Sequence, residues 1–188
     1  MGVFELFLVA VGLSMDAFAV SVCIGLSLPQ INIKKSAIVG GYFGFFQFAM
    51  PVSGYTAAAL FAGKITDYGN WIAFGILCFL GVKTIAGAVK KDESPKIEVF
   101  PGPKKMIPFA VATSIDALAV GVSFAFLEIS IVPAALFIGV TTFLISIAGV
   151  KAGNIFGAKF KAKAEVAGGV ILILIGLKIL FGHLGIFK

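Results

Sequence analysis

Long apolar segments, separated by short polar ones, set the pattern of the chain. Each segment reaches the roughly 20 residues that a helix needs to cross about 30 Å of hydrocarbon. Glycine and proline recur inside these segments, and membrane helices tolerate both better than soluble helices do. The pattern predicts an all-α membrane protein with six transmembrane helices, which we place at residues 3–27, 35–62, 69–90, 106–127, 131–157 and 164–184.

The halves of the chain carry matching segments. The sequence from Ser14 to Val20 matches that from Ser114 to Val120 with an offset of 100 residues. Leu80–Lys83 matches Ile175–Lys178 with an offset of 95. Because three spans are an odd number, a second copy must insert upside down relative to the first. Inverted repeats with a substrate site near the midplane are a common plan of transporters.

A strongly polar segment, rich in lysines, acidic residues and prolines, divides the two halves and is the longest polar stretch in the chain. We therefore predict two inverted three-helix repeats joined by a linker. The first repeat covers residues 1–90, the charged cytoplasmic linker covers 91–105, and the second repeat covers 106–188.

Composition and charge support insertion into a membrane. The chain is 60% hydrophobic and 13% charged, whereas about half apolar is usual for a soluble domain. The net charge is +6, but most of the lysines lie in short loops between apolar spans, which fits a lipid surface better than nucleic acid. With the N-terminus outside, ten loop lysines fall inside and two outside. The positive-inside rule therefore predicts that both termini are outside.

Two aspartates lie near the middle of predicted spans. Asp16 and Asp116 occupy equivalent positions of the repeated segments, and a carboxylate at mid-membrane costs about 2.5–3.5 kcal/mol on insertion scales. Small residues flank each aspartate at helical spacing, so these faces are predicted to pack against another helix and not against lipid. In an inverted repeat the first and fourth spans can cross near the pseudo-twofold axis. We therefore expect the two carboxylates to meet near the midplane.

Uncharged polar residues lie at similar depth in the second and fifth spans. Gln47 and Thr142 match at the offset of 95, as do Pro51 and Ser146. Proline lacks an N–H, so Pro51 frees the main-chain carbonyl of Gln47 one turn earlier. Carboxylate, carbonyl, amide and hydroxyl oxygens are hard ligands that suit Mg, Ca or Mn. The predicted ligands of a divalent metal ion are Asp16, Asp116, Gln47, Thr142 and Ser146.

Glycines spaced four residues apart occur in the same two spans. Gly40 and Gly44 lie in the second span, and Gly149, Gly153 and Gly157 lie in the fifth. This spacing lets two helix backbones approach closely. We therefore expect both spans to pack tightly against neighbouring helices.

Charge balance indicates how such a site could work. Two aspartates would balance one divalent ion, and without the ion two nearby carboxylates repel, so at least one should hold a proton. Metal/proton exchange by a secondary transporter is the resulting hypothesis. We expect no cofactor and no enzymatic activity. The expected partners are the metal ion and the lipid bilayer, with no nucleic acid.

Lysines inside the spans offer a structural alternative. Lys83, Lys151 and Lys178 could each pair with an aspartate, which would make the acids structural. All three lie nearer the ends of their spans, so we expect their charges to extend outward to the interface.

Residues 14–21, residues 112–121 and Trp71–Phe74 resemble the MntP family of manganese efflux pumps. The resemblance covers nearly the whole chain, including the six spans and the charged central loop. It implies a plasma-membrane protein of a prokaryote that exports Mn(II), and it implies that Asp16 and Asp116 matter for export. Some members carry an acidic residue where this chain has Gln47, a departure that removes one negative charge.

Two other functions remain as alternatives. Export of another divalent cation, or of a small basic metabolite, would also need negative charge at the midplane. A membrane thiol–disulfide electron carrier would need two cysteines within reach of each other. Cys23 and Cys78 occupy non-equivalent places in the repeats, which argues against that function.

Overall fold

Five α-helices have defined bounds within the continuously described parts of the chain. The computed structural model describes residues 2–30, 32–62, 69–89 and 102–156, with isolated positions at 166, 170, 173, 174, 177, 180 and 181. In chain order the helices are α1 (Val3–Ser27), α2 (Ile33–Ala62), α3 (Gly69–Val89), α4 (Pro103–Phe126) and α5 (Ile131–Phe156). These described ranges contain no β-strand.

The helix bounds agree closely with the predicted spans. α1 has the predicted bounds, and in the other four helices no end differs from the prediction by more than three residues. Within the described residues, three helices are long and apolar enough to cross a membrane by length and composition, namely Val3–Ser27, Lys104–Phe126 and Ile131–Ile155. The all-helical membrane class is therefore confirmed. The predicted sixth span lies largely outside the described residues, so the count of six stays a prediction.

Local sequence signals fix where the helices begin. Before α1, the main-chain N–H of Gly2 donates to the Glu5 carboxylate at 3.0 Å, which satisfies a donor that the helix itself cannot. Before α2, the side chain of Asn32 accepts from the N–H of Lys34 at 2.9 Å, as expected of an N-cap asparagine. α4 begins with Pro103, whose missing N–H is no loss at the first helical position.

The helices pack in pairs around a central crossing. α1 lies along α5, α2 lies along α4, and α2 also packs extensively on α5, whereas α3 packs chiefly against α4. At the crossing of α2 and α5, Gly44 and Gly139 face each other. A Cβ at Gly44 would lie 2.8 Å from the carbonyl oxygen of Gly139, and a Cβ at Gly139 would lie 2.9 Å from that of Gly44. Only glycine allows these two backbones to come so close.

Glycines also close the two outer seams. On the α2/α4 seam, a methyl group at Gly54 would fall on the carbonyl oxygen of Leu118. On the α1/α5 seam, a methyl group at Gly149 would lie 3.0 Å from the carbonyl oxygen of Phe18. By sequence offset, Gly54 matches Gly149 and Leu118 matches Phe18. The two seams therefore use equivalent glycines against equivalent carbonyl groups.

Two apolar clusters form the core. On each of four helices, a short stretch of residues that belong to neither cluster lies between them. The first cluster comprises Val9, Ala10, Leu13, Leu77, Leu80, Ala117, Val120, Phe124, Ala134 and Ile138. The second comprises Ala17, Ile24, Leu28, Val39, Phe43, Met106, Ala110 and Val150. Partly buried Met50 extends the first cluster onto α2. Every predicted site residue falls, along its own helix, between these clusters.

Candidate metal centre

A layer of polar side chains separates the two apolar clusters, and we call it the polar layer. Its members lie on α1, α2, α4 and α5, and all but one are buried. The polar layer comprises Ser14, Asp16, Gln47, Ser114, Asp116, Thr142 and Ser146. Asp16 is half-buried, and Asp116 is only 5% exposed. Burial of uncompensated polar groups is costly, so each of these side chains calls for a partner or a function.

A hydroxyl pair joins α1 to α5 inside the polar layer. Ser14 Oγ and Thr142 Oγ1 are 2.8 Å apart, and Ser14 Oγ also lies 2.6 Å from the carbonyl oxygen of Ala10. A serine hydroxyl has one proton, and the carbonyl can only accept, so Ser14 donates to Ala10. Thr142 must then donate to Ser14. This arrangement leaves lone pairs of Thr142 Oγ1 available to a cation.

The amide of Gln47 has a fixed orientation. Its Nε2 donates to the carbonyl oxygen of Leu13 at 3.1 Å, which links α2 to α1 immediately before Ser14. Its Oε1 is buried and has no hydrogen-bond partner within the described part of the chain. The same holds for the hydroxyl oxygens of Ser114 and Ser146. The polar layer thus holds three buried neutral oxygens that are open to a cation or a water molecule.

Asp116 is held by a lysine from α3. Its Oδ1 accepts a hydrogen bond from Lys83 Nζ at 2.7 Å, with the aspartate side chain 7% exposed and the lysine side chain 52% exposed. The expectation that Lys83 extends away from the site was therefore wrong, because α3 lies on α4 with this lysine facing Asp116. Lys151 is exposed as predicted. Lys178 lies outside the described residues.

The other aspartate lies on the neighbouring helix α1. Asp16 follows Ser14 by two residues, close to where Gln47 and Thr142 contact α1. Helices α1 and α4, which carry the two aspartates, also contact each other. No cluster of three or more His, Cys, Asp or Glu occurs among the residues that the structure describes. Within the described residues, this layer therefore offers a metal ion two carboxylates together with neutral oxygens.

Sequence reasoning missed two polar members of this layer, Ser14 and Ser114. Both stand two residues before an aspartate, in the matched segments of the two halves. The repetition of this serine in both halves was the available signal. A serine two residues from an aspartate in the same span lies at nearly the same depth as that aspartate. Both serines are completely buried.

Long apolar helices around a buried, acid-bearing polar layer define an α-helical membrane protein with a polar site inside its helix bundle. The chain belongs to the Mntp family, whose model is described as "Putative manganese efflux pump" and matches residues 30–180. The resemblance seen in the sequence is thereby confirmed.

Relatives from bacteria match over nearly the whole chain. A protein of Desulfitobacterium hafniense (strain Y51), named "Putative manganese efflux pump MntP", is 54% identical over 98% of this chain and 97% of its own length. A relative of the same name from Acetivibrio thermocellus is 48% identical over 98% of this chain and 93% of its own length. One from Mannheimia succiniciproducens is 44% identical over 97% of this chain and 98% of its own length. No solved structure matches the chain significantly.

Proposed function

We propose that the protein is a secondary transporter that exports Mn(II) across the plasma membrane of a prokaryote, through a midplane site built on Asp16 and Asp116. The observation that carries this function is the set of buried oxygens that find no donor among the described residues, in the layer that contains both aspartates. The name of the relatives supports manganese as the substrate. The ion is therefore a cargo and not a resident cofactor.

The chemistry of the polar layer suits a hard divalent cation. Two carboxylates balance a charge of +2, and amide and hydroxyl oxygens complete the shell that Mn(II), Mg(II) and Ca(II) prefer. The Gln47 side chain and the hydroxyls of Thr142 and Ser146 are the proposed neutral ligands. Pro51 lies inside α2 and cannot donate to the Gln47 carbonyl, so the main chain there supplies a further acceptor oxygen.

The proposed architecture is six helices in two inverted repeats, 1–90 and 106–188, with 91–105 as a cytoplasmic linker and both termini outside. Between the two repeats α1 corresponds to α4, and α5 corresponds to α2. The α1/α5 pair is therefore equivalent to the α4/α2 pair, and both pairs pack extensively. Gly44 and Gly139 are equivalent at the offset of 95 and face each other, as residues near a twofold axis must. A site between such repeats can open to either side in turn.

Proton exchange would complete the transport cycle. When the metal ion leaves, the two carboxylates carry one more negative charge than Lys83, which is paired with Asp116, can balance, and a proton on one of them removes this excess. Metal and protons then compete for one site and move in opposite directions. An inward proton gradient would thereby drive the export of Mn(II).

Transport by purified protein in liposomes tests this function directly. Vesicles are prepared with an internal pH either below that of the medium or equal to it. They are then exposed to Mn(II), and its uptake is followed with an internal metal-sensitive dye. We expect uptake in the presence of protein and faster uptake with the pH gradient. Competition by Ca(II), Mg(II) or a basic amino acid separates the alternative cargoes. Absence of Mn(II) movement under both conditions contradicts the proposal.

Replacing Gln47 with leucine is expected to weaken Mn(II) binding about tenfold, or about 1.4 kcal/mol, because one neutral ligand is lost from a buried site. Isothermal titration of the purified protein measures the dissociation constant. Ser53→Ala serves as the matched control, because Ser53 carries an exposed hydroxyl on the same helix, which donates to the Ala49 carbonyl. A Gln47→Leu variant with wild-type affinity shows that this amide is not a ligand.

A further inference from the structure

The ion pair between Lys83 and Asp116 joins a buried carboxylate to a lysine with a partly accessible side chain. The carboxylate is almost fully enclosed, whereas half of the lysine side chain is accessible. A lysine in this position has room to withdraw along its flexible stem and carry its charge toward the membrane interface. The aspartate cannot follow, because it is buried on α4, which packs against both α2 and α3. The bond can therefore open by movement of the lysine alone.

The backbone that carries Lys83 is well anchored. Leu80, one turn before the lysine, and Leu77, two turns before it, are 3% and 1% exposed in the first apolar cluster. That cluster also contains Ala117 and Val120 of α4, which follow Asp116 on its helix. The pairing thus follows from the way α3 is seated on α4. It is not a chance contact of a long surface side chain.

An ammonium group at Asp116 Oδ1 competes with a metal ion for the same oxygen. At 2.7 Å the ammonium occupies the lone-pair region that a divalent ion would use, and two cations this close repel strongly in a medium of low dielectric constant. Without metal, however, the lysine stabilises a carboxylate that would otherwise be buried with an uncompensated charge. Lys83 therefore stabilises the metal-free state of the site and destabilises the metal-bound state.

We propose that Lys83 is a tethered counter-ion that occupies Asp116 in the metal-free state, is displaced by the arriving metal ion, and promotes its release on return. This role rests on the proposed function of Asp116 as a metal ligand. Because the competitor is attached to the protein, its effective concentration at the site is high and constant. Lys83 would then set an affinity low enough for the ion to leave. A matching lysine occurs at position 178 in the second half of the sequence.

Binding measurements on the purified full chain test this role. Lys83→Gln is expected to bind Mn(II) about tenfold more tightly, because a repelling charge has been removed. In liposomes the same variant should show a lower KM and a lower kcat, since release becomes slow. Lys83→Arg retains the charge and should stay close to wild type, and Lys151→Gln, at an exposed lysine of α5, should be unchanged. A merely structural lysine would lower the Tm without tightening metal binding.

Two results separate failure of this role from failure of the proposed site. If Asp116→Asn abolishes Mn(II) binding but Lys83→Gln binds with unchanged or weaker affinity, the counter-ion role is overturned and the site stands. If Asp116→Asn binds Mn(II) like wild type, the site itself is overturned, and the counter-ion role with it.

A measurement on the wild-type protein covers the case in which Lys83→Gln does not fold. Displacement by metal should raise the reactivity of the Lys83 amine towards an amine-modifying reagent, detected by mass spectrometry with and without Mn(II). The exposed Lys151 serves as the internal reference. Equal labelling of Lys83 in both conditions overturns the displacement.

Discussion

Asp16→Asn and Asp116→Asn are each expected to reduce Mn(II) export by at least about 100-fold, because each removes half of the negative charge that holds the dication in a buried site. Asparagine has nearly the same shape as aspartate, so packing in the polar layer is retained. The partner of Asp116 can also adapt to the change, because half of the Lys83 side chain is accessible and its flexible stem can carry the ammonium group toward the interface. The variants should therefore accumulate in the membrane at wild-type levels.

Uptake of Mn(II) by liposomes, and resistance to added Mn(II) of cells that lack their own exporter, measure this loss. Glu128→Gln is the matched control: the same carboxylate-to-amide change at an exposed residue in the turn between α4 and α5. It should leave export unchanged. Full export by both aspartate variants would remove the basis of the two-aspartate site. Loss in only one of them would show that a single carboxylate binds the ion.

The positions of the helices could be predicted from the sequence because their lengths are fixed by the thickness of a bilayer. The spacing Gly40–Gly44 and Gly149–Gly153 also predicted close packing correctly, and these glycines contact α5 and α1 respectively. Gly54 and Gly121 were missed. Neither has a glycine four residues away in the sequence, so the spacing did not mark them, and the match of Gly54 to Gly149 at the offset of 95 was the available signal for one of the two.

The depth of the polar layer was also accessible from the sequence, because polar residues inside apolar spans are rare enough to be informative. The rotation of each helix about its own axis was not. Whether Lys83 faces the interface or Asp116 depends on how α3 is seated on α4, and α3 is apolar nearly all round, with Phe79 and Val82 exposed and Leu80 buried. A helix without a polar face gives no sequence signal for its orientation.

A single methyl group at Gly54 is expected to destabilise the protein by about 3 kcal/mol, at the upper end of what overpacking usually costs. The added carbon would fall on the backbone carbonyl of Leu118, and a backbone atom inside a helix cannot move aside as a side chain can. α2 and α4 must separate instead. Because Leu118 lies two residues after Asp116, this separation displaces one of the proposed ligands. Gly54→Ala should therefore lose both stability and export.

Gly41→Ala provides the matched control on the same helix. Gly41 is exposed, and a methyl group there would meet nothing within 4 Å. Alanine is the better helix former by about 0.8–1 kcal/mol, so this variant should have an equal or higher Tm in detergent and normal export. Gly121→Ala, which would fall on the carbonyl oxygen of Pro51 across the same seam, should behave like Gly54→Ala. Equal melting temperatures for all three variants would show that the α2/α4 seam is looser than described, and that Asp116 is not held in place by it.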